Sequence, residues 1–405
     1  MRLHPMLSAM RRNKVGAIVI GLQMAITLAI LANALFIIDQ RLELSRRSTG
    51  TDEANLFSID NEWVGTPADM AALARADAEA LRALPEVQDA YVTSSYPLEN
   101  GGWMQGVSIR PNQTDETSSA ATYFGDEHLL PTLGVRLVAG RAFNGAEVAE
   151  RGGIEGPLPP GVIVTRALAA KLFPGENPLG KMIYIEYPDR GEPIVGLVDR
   201  LAAPWTSTSY AGIYEYSVIE PFRFVDKSAS YVVRAKPQHL ASAMRAAQAR
   251  LFELRAARIL RKVGTFAEWR ERDYRDDRGL ATILAIVCAA LVAVTAFGIV
   301  GLTSYWVAQR RRQIGIRRAL GATRSAIVRH FQTENLLIAG AGAVLGVGLA
   351  VVINIWMIKS FEMARLDPTY AVVGAAAVVL LGQLATLWPA LRAAAIAPAL
   401  ATRGA

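Results

Sequence analysis

Four stretches of this 405-residue chain carry no Asp, Glu, Lys or Arg: residues 15–38, 279–309, 335–358 and 369–391. At 1.5 Å per helical residue each is long enough to cross a hydrocarbon core of about 30 Å. The chain is therefore expected to be an integral membrane α-helical protein with four transmembrane helices, at 15–38, 279–308, 335–358 and 369–391. Between the first and second lie about 240 residues of ordinary globular composition, and these are expected to form a large extracytoplasmic α/β (α+β) domain over 39–278.

The formal charge of +7 is unevenly distributed. Residues 39–278 hold 28 Lys and Arg against 33 Asp and Glu, whereas the rest of the chain holds 15 against 3. The basic excess belongs to the flanks of the apolar runs. Arg2, Arg11, Arg12 and Lys14 precede the first run, seven arginines separate the second from the third, and Arg392 and Arg403 follow the fourth, while the loop at 359–368 has only Lys359 and Arg365. The positive-inside bias puts the segment 1–14, the loop 309–334 and the tail 392–405 in the cytoplasm, with the large domain outside. Basicity confined to membrane flanks addresses lipid and argues against a nucleic-acid partner, which calls for a basic face on a folded domain.

The first run is too long for the apolar core of a signal peptide, and no small-residue cleavage site follows it, so it is expected to remain as an anchor. Leu3, Met6, Leu7 and Met10 recur at helical spacing, consistent with an interfacial helix over 1–14; a basic leader that serves topology alone is the alternative. Gln23, Thr27 and Asn33 inside the first run are expected to bond to a neighbouring helix. The one cysteine, Cys288, excludes an intramolecular disulfide, so the large domain must be held by its core.

Within that domain the pattern predicts strands at 55–60, 87–94, 161–165, 182–187, 193–199 and 231–235. Helices are predicted at 67–84, with Ala71, Ala74, Ala78 and Leu81 inward, at 166–173 and at 237–260. Residues 97–106 and 145–160 read as loops. The charge-dense 268–278 reads as a solvated helical stalk.

Residues 175–182, GENPLGKM, approach the phosphate-binding pattern G-x-x-x-x-G-K-[ST], but Met182 replaces the hydroxyl, Pro178 interrupts the loop and a strand follows; the stretch is read as a turn. The four histidines are far apart, and no Ser/His/Asp order, HExxH or Cys/His ligand spacing occurs. No catalytic residue, bound cofactor or metal site is therefore expected in this chain. In the third run, Gly342 and Gly346 have the small-x-x-x-small spacing that lets helices approach closely.

Residues 309–323, QRRRQIGIRRALGAT, combine arginines with placed apolar residues. In a helix Ile314, Arg317 or Arg318, and Gly321 share a side, Ala319 and Leu320 can meet the bilayer or a partner, and Gly321 is suited to end the helix, with a second one starting near Thr323. A topology-setting arginine cluster explains the charge but not Ile314, Ile316, Leu320 or the glycines.

The run Gln313, Ile314, Gly315, Ile316, Arg317, Arg318, Ala319, Leu320, Gly321, Ala322 resembles the cytoplasmic coupling segment of MacB/FtsX-type (type VII) ABC transporter permeases. GRAF at 140–143, VIVT at 162–165, LFPGENPLGK at 172–181 and IVGLVD at 194–199 resemble successive blocks of the MacB-like periplasmic core domain. Pro389, Ala390, Ala393, Ala394, Ile396, Pro398, Ala399 and Leu400 resemble the family's C-terminal signature. The resemblance implies a permease subunit in a bacterial inner membrane that performs no catalysis. Gln313, Ile314, Gly315, Arg317, Arg318, Ala319, Leu320, Gly321 and Ala322 would receive the motion of a cytoplasmic ABC ATPase, in two copies, which binds ATP and Mg. With no nucleotide-binding domain in these residues, that ATPase is expected to be a separate chain. A second permease copy or a sister permease is implied too, with a periplasmic adaptor and an outer-membrane channel if the assembly works in efflux of a peptide, antibiotic or lipid-like substrate. A mechanotransmitting regulator of an envelope enzyme or signalling partner is the other reading. Gln313 stands where the family has Glu, so no ion pair from that position is implied.

Overall fold

The computed structural model describes residues 14–65, 69–152, 157–361 and 364–395. The segment 1–13 and the end of the tail, from Ile396, lie outside them. The chain divides into two compact units, Met1–Leu44 with Asp276–Ala405, and Ser45–Arg275.

In chain order the described elements are α1 (Lys14–Arg46), β1 (Leu56–Trp63), α2 (Met70–Arg82), β2 (Val87–Thr93), β3 (Trp103–Val107), β4 (Ser118–Phe124), α3 (Leu129–Leu133), β5 (Leu137–Gly140), β6 (Ala149–Arg151), β7 (Val162–Thr165), α4 (Arg166–Leu172), β8 (Met182–Ile183) and β9 (Glu192–Val198). There follow β10 (Ser217–Glu220), β11 (Phe222–Phe224), β12 (Ser228–Ala235), α5 (Leu240–Leu254), β13 (Arg258–Thr265), α6 (Phe266–Asp273), α7 (Arg275–Gln309), α8 (Arg311–Ala319), α9 (Arg324–Phe361) and α10 (Pro368–Ala394).

In the helical unit, α1, α7, α9 and α10 are each long and apolar enough to cross a membrane. α1 is the most enclosed of them, and the sequence shows why neighbours can close on it. A Cβ added to Gly342 would stand 2.8 Å from the Gly21 carbonyl oxygen, and one on Gly346 would stand 2.9 Å from that of Ala25. Glycine at these two positions lets the backbones of α9 and α1 come close enough to touch. On α10, Gly374 and Gly382 leave room for the ends of Leu28 and Met24. The polar residues of α1 bond to other helices as expected. Gln23 donates to the Val294 carbonyl (3.3 Å), Thr27 and Thr295 share a hydroxyl–hydroxyl bond (2.8 Å), and Asn33 donates to the Ala350 carbonyl (3.1 Å). Each such bond spares a polar group from facing hydrocarbon.

The second unit contains two main sheets. The first, ordered β13-β1-β12-β2, is antiparallel throughout. Helices α2 and α5 cover one face of it, burying Ala74, Ala78, Leu81, Ala243, Ala247 and Leu251 against Phe57, Ile59, Val92, Tyr231 and Val233. The second sheet, β3-β4-β10-β7-β9-β5 with β8 on β9, comes from the chain between β2 and β12, so the first sheet is split around the second. Its core forms where α4 packs Leu168, Ala169 and Leu172 onto Val162, Val164, Ile194 and Val218. A parallel ribbon of β6 and β11 completes the unit.

The structure corrects several expectations. The helix predicted over 237–260 stops at Leu254; Arg255 is extended, and Arg258–Thr265 is a strand of the first sheet. Its arginines made it read as helix, but Arg258 turns inward to a buried partner, Asp77. The 268–278 stretch is not one solvated stalk. A capping box between Thr265 and Glu268 starts α6, which ends at Asp273, and Phe266, Trp269 and Tyr274 are all buried. The Trp269 indole N–H donates to the Ser58 hydroxyl at 2.9 Å. The segments read as loops hold β3 and β6. Ala71 is half-buried, unlike its three companions on α2.

Candidate coupling surface

The segment between α7 and α9 is built as a capped hairpin. α8 ends where Gly321 takes φ +93°, a left-handed conformation that disfavours any side chain. The Gly321 N–H donates to the Arg318 carbonyl and the Ala322 N–H to that of Arg317, both at 3.1 Å. This pair of bonds is a Schellman stop, and it satisfies carbonyls that the helix end leaves open. The Thr323 hydroxyl then accepts the Ala326 N–H at 3.2 Å and starts α9.

Two features hold the hairpin. Ile314 is buried with Val307, Ile327, Phe331, Ala390, Ala393 and Ala394, from α7, α9 and α10. Arg310 donates to both oxygens of Glu334 at 3.0–3.3 Å, tying the turn after α7 to α9. With 17% and 7% of these side chains exposed, the pair is far less screened than a surface ion pair.

The predicted residues thus divide by direction. Ile314 and Gly315 are buried, and Arg318 and Ala322 are half-buried, while Gln313, Arg317, Ala319, Leu320 and Gly321 are exposed. Ile314 does not share an open face with Gly321; it is the anchor. The apolar residue that joins Leu320 on the open side is Ile316, four positions earlier, and the two are 47% and 83% exposed. Sequence reasoning passed over Ile316 as a site residue and missed the Arg310–Glu334 pair. A signal for the latter existed, since Glu334 is the one acidic residue between 279 and 361.

An open apolar pair on a short helix that also exposes Arg311, Arg312 and Arg317 can bind a partner with an apolar pocket and acidic rim. Elsewhere, the phosphate-loop look-alike at 175–182 is a turn. Gly175 and Gly180 are left-handed, β8 follows, and Lys181 pairs with Glu176 while lying 4.6 Å from the centre of the Phe173 ring.

Comparison with known proteins adds the family. Residues 15–251 match the MacB-like periplasmic core domain, more than half of the chain, and residues 285–398 match the FtsX-like permease C-terminal domain. The chain belongs to the MacB/FtsX-type permease family. A macrolide export ATP-binding/permease protein MacB from Photorhabdus laumondii is 24% identical over 345 residues, covering 83% of this chain and 49% of that protein. The MacB of Neisseria gonorrhoeae is 23% identical over 274 residues, covering 66% and 40%. A pyoverdine export ATP-binding/permease protein PvdT from Pseudomonas fluorescens is 33% identical over 129 residues, 32% of this chain and 20% of PvdT. The chain thus spans at most about half the length of these relatives. The crystal structure of the periplasmic region of MacB from Actinobacillus actinomycetemcomitans aligns with 57% of this chain and 97% of that region, at 15% identity and a TM-score of 0.36. The FtsX-like match takes in α8 and α9, and with them the hairpin of this MacB/FtsX-type permease.

Proposed function

We propose that this chain is the membrane subunit of an ABC exporter, moved by a cytoplasmic ABC ATPase that docks on the hairpin between α7 and α9. The observation that carries this reading is the exposed Ile316–Leu320 pair on a short helix fixed by Ile314 and by the Arg310–Glu334 bridge. Such a surface can receive a push without unfolding. Two ATPase copies hold ATP and Mg, and this chain contributes no catalysis. The termini and the hairpin are cytoplasmic, and residues 45–275 lie outside the membrane.

Motion received at α8 passes along α7 and α1, which Arg41 and Asp277 join at 2.7 Å. In the outer unit, Arg270 of α6 donates to both Glu53 oxygens and to the carbonyls of Ser45 and Arg47, so it clasps the segments that continue from the two helices. The assembly contains a second copy of this chain or a sister permease, and in an envelope with two membranes an adaptor and an outer channel. The names of its relatives, macrolide and pyoverdine exporters, support efflux of a peptide, antibiotic or lipid-like substrate.

Leu320→Asp tests the reading, because a residue this exposed can change without disturbing the fold. The variant is expected to insert and fold normally while export and permease-stimulated ATP hydrolysis fall at least tenfold. Normal export by the variant would overturn the docking role.

A further inference from the structure

Arg151 closes β6, and its guanidinium lies 5.2 Å and 5.3 Å from the ring centres of Phe124 on β4 and Phe222 on β11. It donates to Glu186 at 2.9 Å and to Glu220 at 3.4 Å. The side chains of Arg151 and Glu220 are each 2% exposed. A third carboxyl joins them. Glu192, at the start of β9, is 1% exposed, and its Oε2 has no hydrogen-bond partner.

Among the described residues, the charged groups that act on Glu192 are Glu220 from β10, Glu186 from the connection between β8 and β9, and Arg151 from β6. Arg223, the other arginine of the ribbon, is engaged with Asp126 and Glu127. One guanidinium balances one carboxylate, so three ionised carboxylates here would leave excess negative charge in a site closed to water, which burial strongly opposes. Among the described residues no three Asp, Glu, His or Cys side chains are arranged to hold a metal ion. The occupant that fits an unpartnered carboxyl oxygen in such a place is a proton.

We propose that Glu192 is a proton-binding site of the outer domain: its carboxyl stays protonated at neutral pH, and loss of that proton to solvent at alkaline pH loosens the β6–β11 ribbon that Arg151 fastens. Burial, then Glu220 and Glu186, push this carboxyl up to about 9, against the pull of Arg151. Burial also pushes Glu220 up, to about 7, with Arg151 opposing. The sign follows from linkage. A carboxyl raised in the folded state gives its full contribution below the unfolded value of 4.5, and loses it as pH climbs towards about 9. Proton binding at Glu192 does not depend on the exporter reading.

The test uses the full chain in lipid nanodiscs, comparing wild type with Glu192→Gln, which keeps the shape and removes the titration. From about pH 6 to about pH 9 the unfolding constant of wild type should rise relative to the variant by about tenfold per pH unit, the slope of one linked proton. Hydrogen exchange of residues 149–151 and 222–224, corrected for its intrinsic pH dependence, should accelerate at alkaline pH in wild type and not in the variant. Equal slopes for the two proteins would overturn the site, and equal exchange would overturn the loosening. Should the variant not fold, infrared titration of wild type decides: a protonated-carboxyl C=O band that persists at neutral pH and disappears near pH 9 supports the site, and its absence at neutral pH refutes it.

Discussion

At Asp77 the packing of α2 departs from what its alanines imply. The sequence points to Ala71, Ala74, Ala78 and Leu81 as the inward face, and all but the half-buried Ala71 are buried, but Asp77 lies beside them at 2% exposure. Arg258 reaches it with two hydrogen bonds of 2.8 and 3.0 Å, and the Tyr231 hydroxyl donates a third at 2.6 Å. Removing one member leaves a buried charge without its partner, so Asp77→Ala should destabilise the outer domain by about 3–5 kcal/mol. Replacing both, as Asp77→Leu with Arg258→Met, should recover most of that loss; denaturant titration of the single and the double variant checks it. A single sequence could not reveal this pair, because its members are 181 positions apart and each alone reads as surface. Glu334 was more legible, as a lone carboxylate beside an apolar run.

Among elements, the long helices were legible because an apolar run of 23 or more residues has few other outcomes. The glycines of α9 were only partly so. Spacing selected Gly342 and Gly346, but only the partner helix separates them from Gly340 and Gly348, around which an added Cβ meets nothing within 4 Å. Gly346→Leu should therefore disrupt the α1–α9 contact and lower the yield of folded protein, whereas Gly348→Leu, on an open face, should leave it unchanged; gel filtration and thermal unfolding in detergent distinguish the two. Strands were harder. β4 and β10 are buried almost throughout, so they lack the alternation that marks a half-exposed strand, and β13 was hidden by its arginines. At α8 the stop at Gly321 was readable from residue type. The inward turn of Ile314 was not, because it depends on α10, about 75 positions further on.

For the molecule as a whole, the order of the chain explains the division of labour. Both segments that bound the outer unit run into helices, α1 and α7, and α7 leads directly to the hairpin at α8. Under the proposed function, a shift at the hairpin enters α7, a continuous helix of 35 residues. The same account requires that Ile316 and Leu320 meet another protein and that Ile314 does not. Cross-linking from single cysteines tests this most directly, with Cys288→Ala as background and cysteine placed in turn at 314, 316, 320 and the exposed apolar position 344 of α9. In membranes that hold the partner ATPase, positions 316 and 320 should yield a permease–ATPase adduct that depends on nucleotide, while 314 and 344 should not. Adducts absent at 316 and 320, or as abundant at 314 and 344, would contradict the assignment of this hairpin as the docking surface.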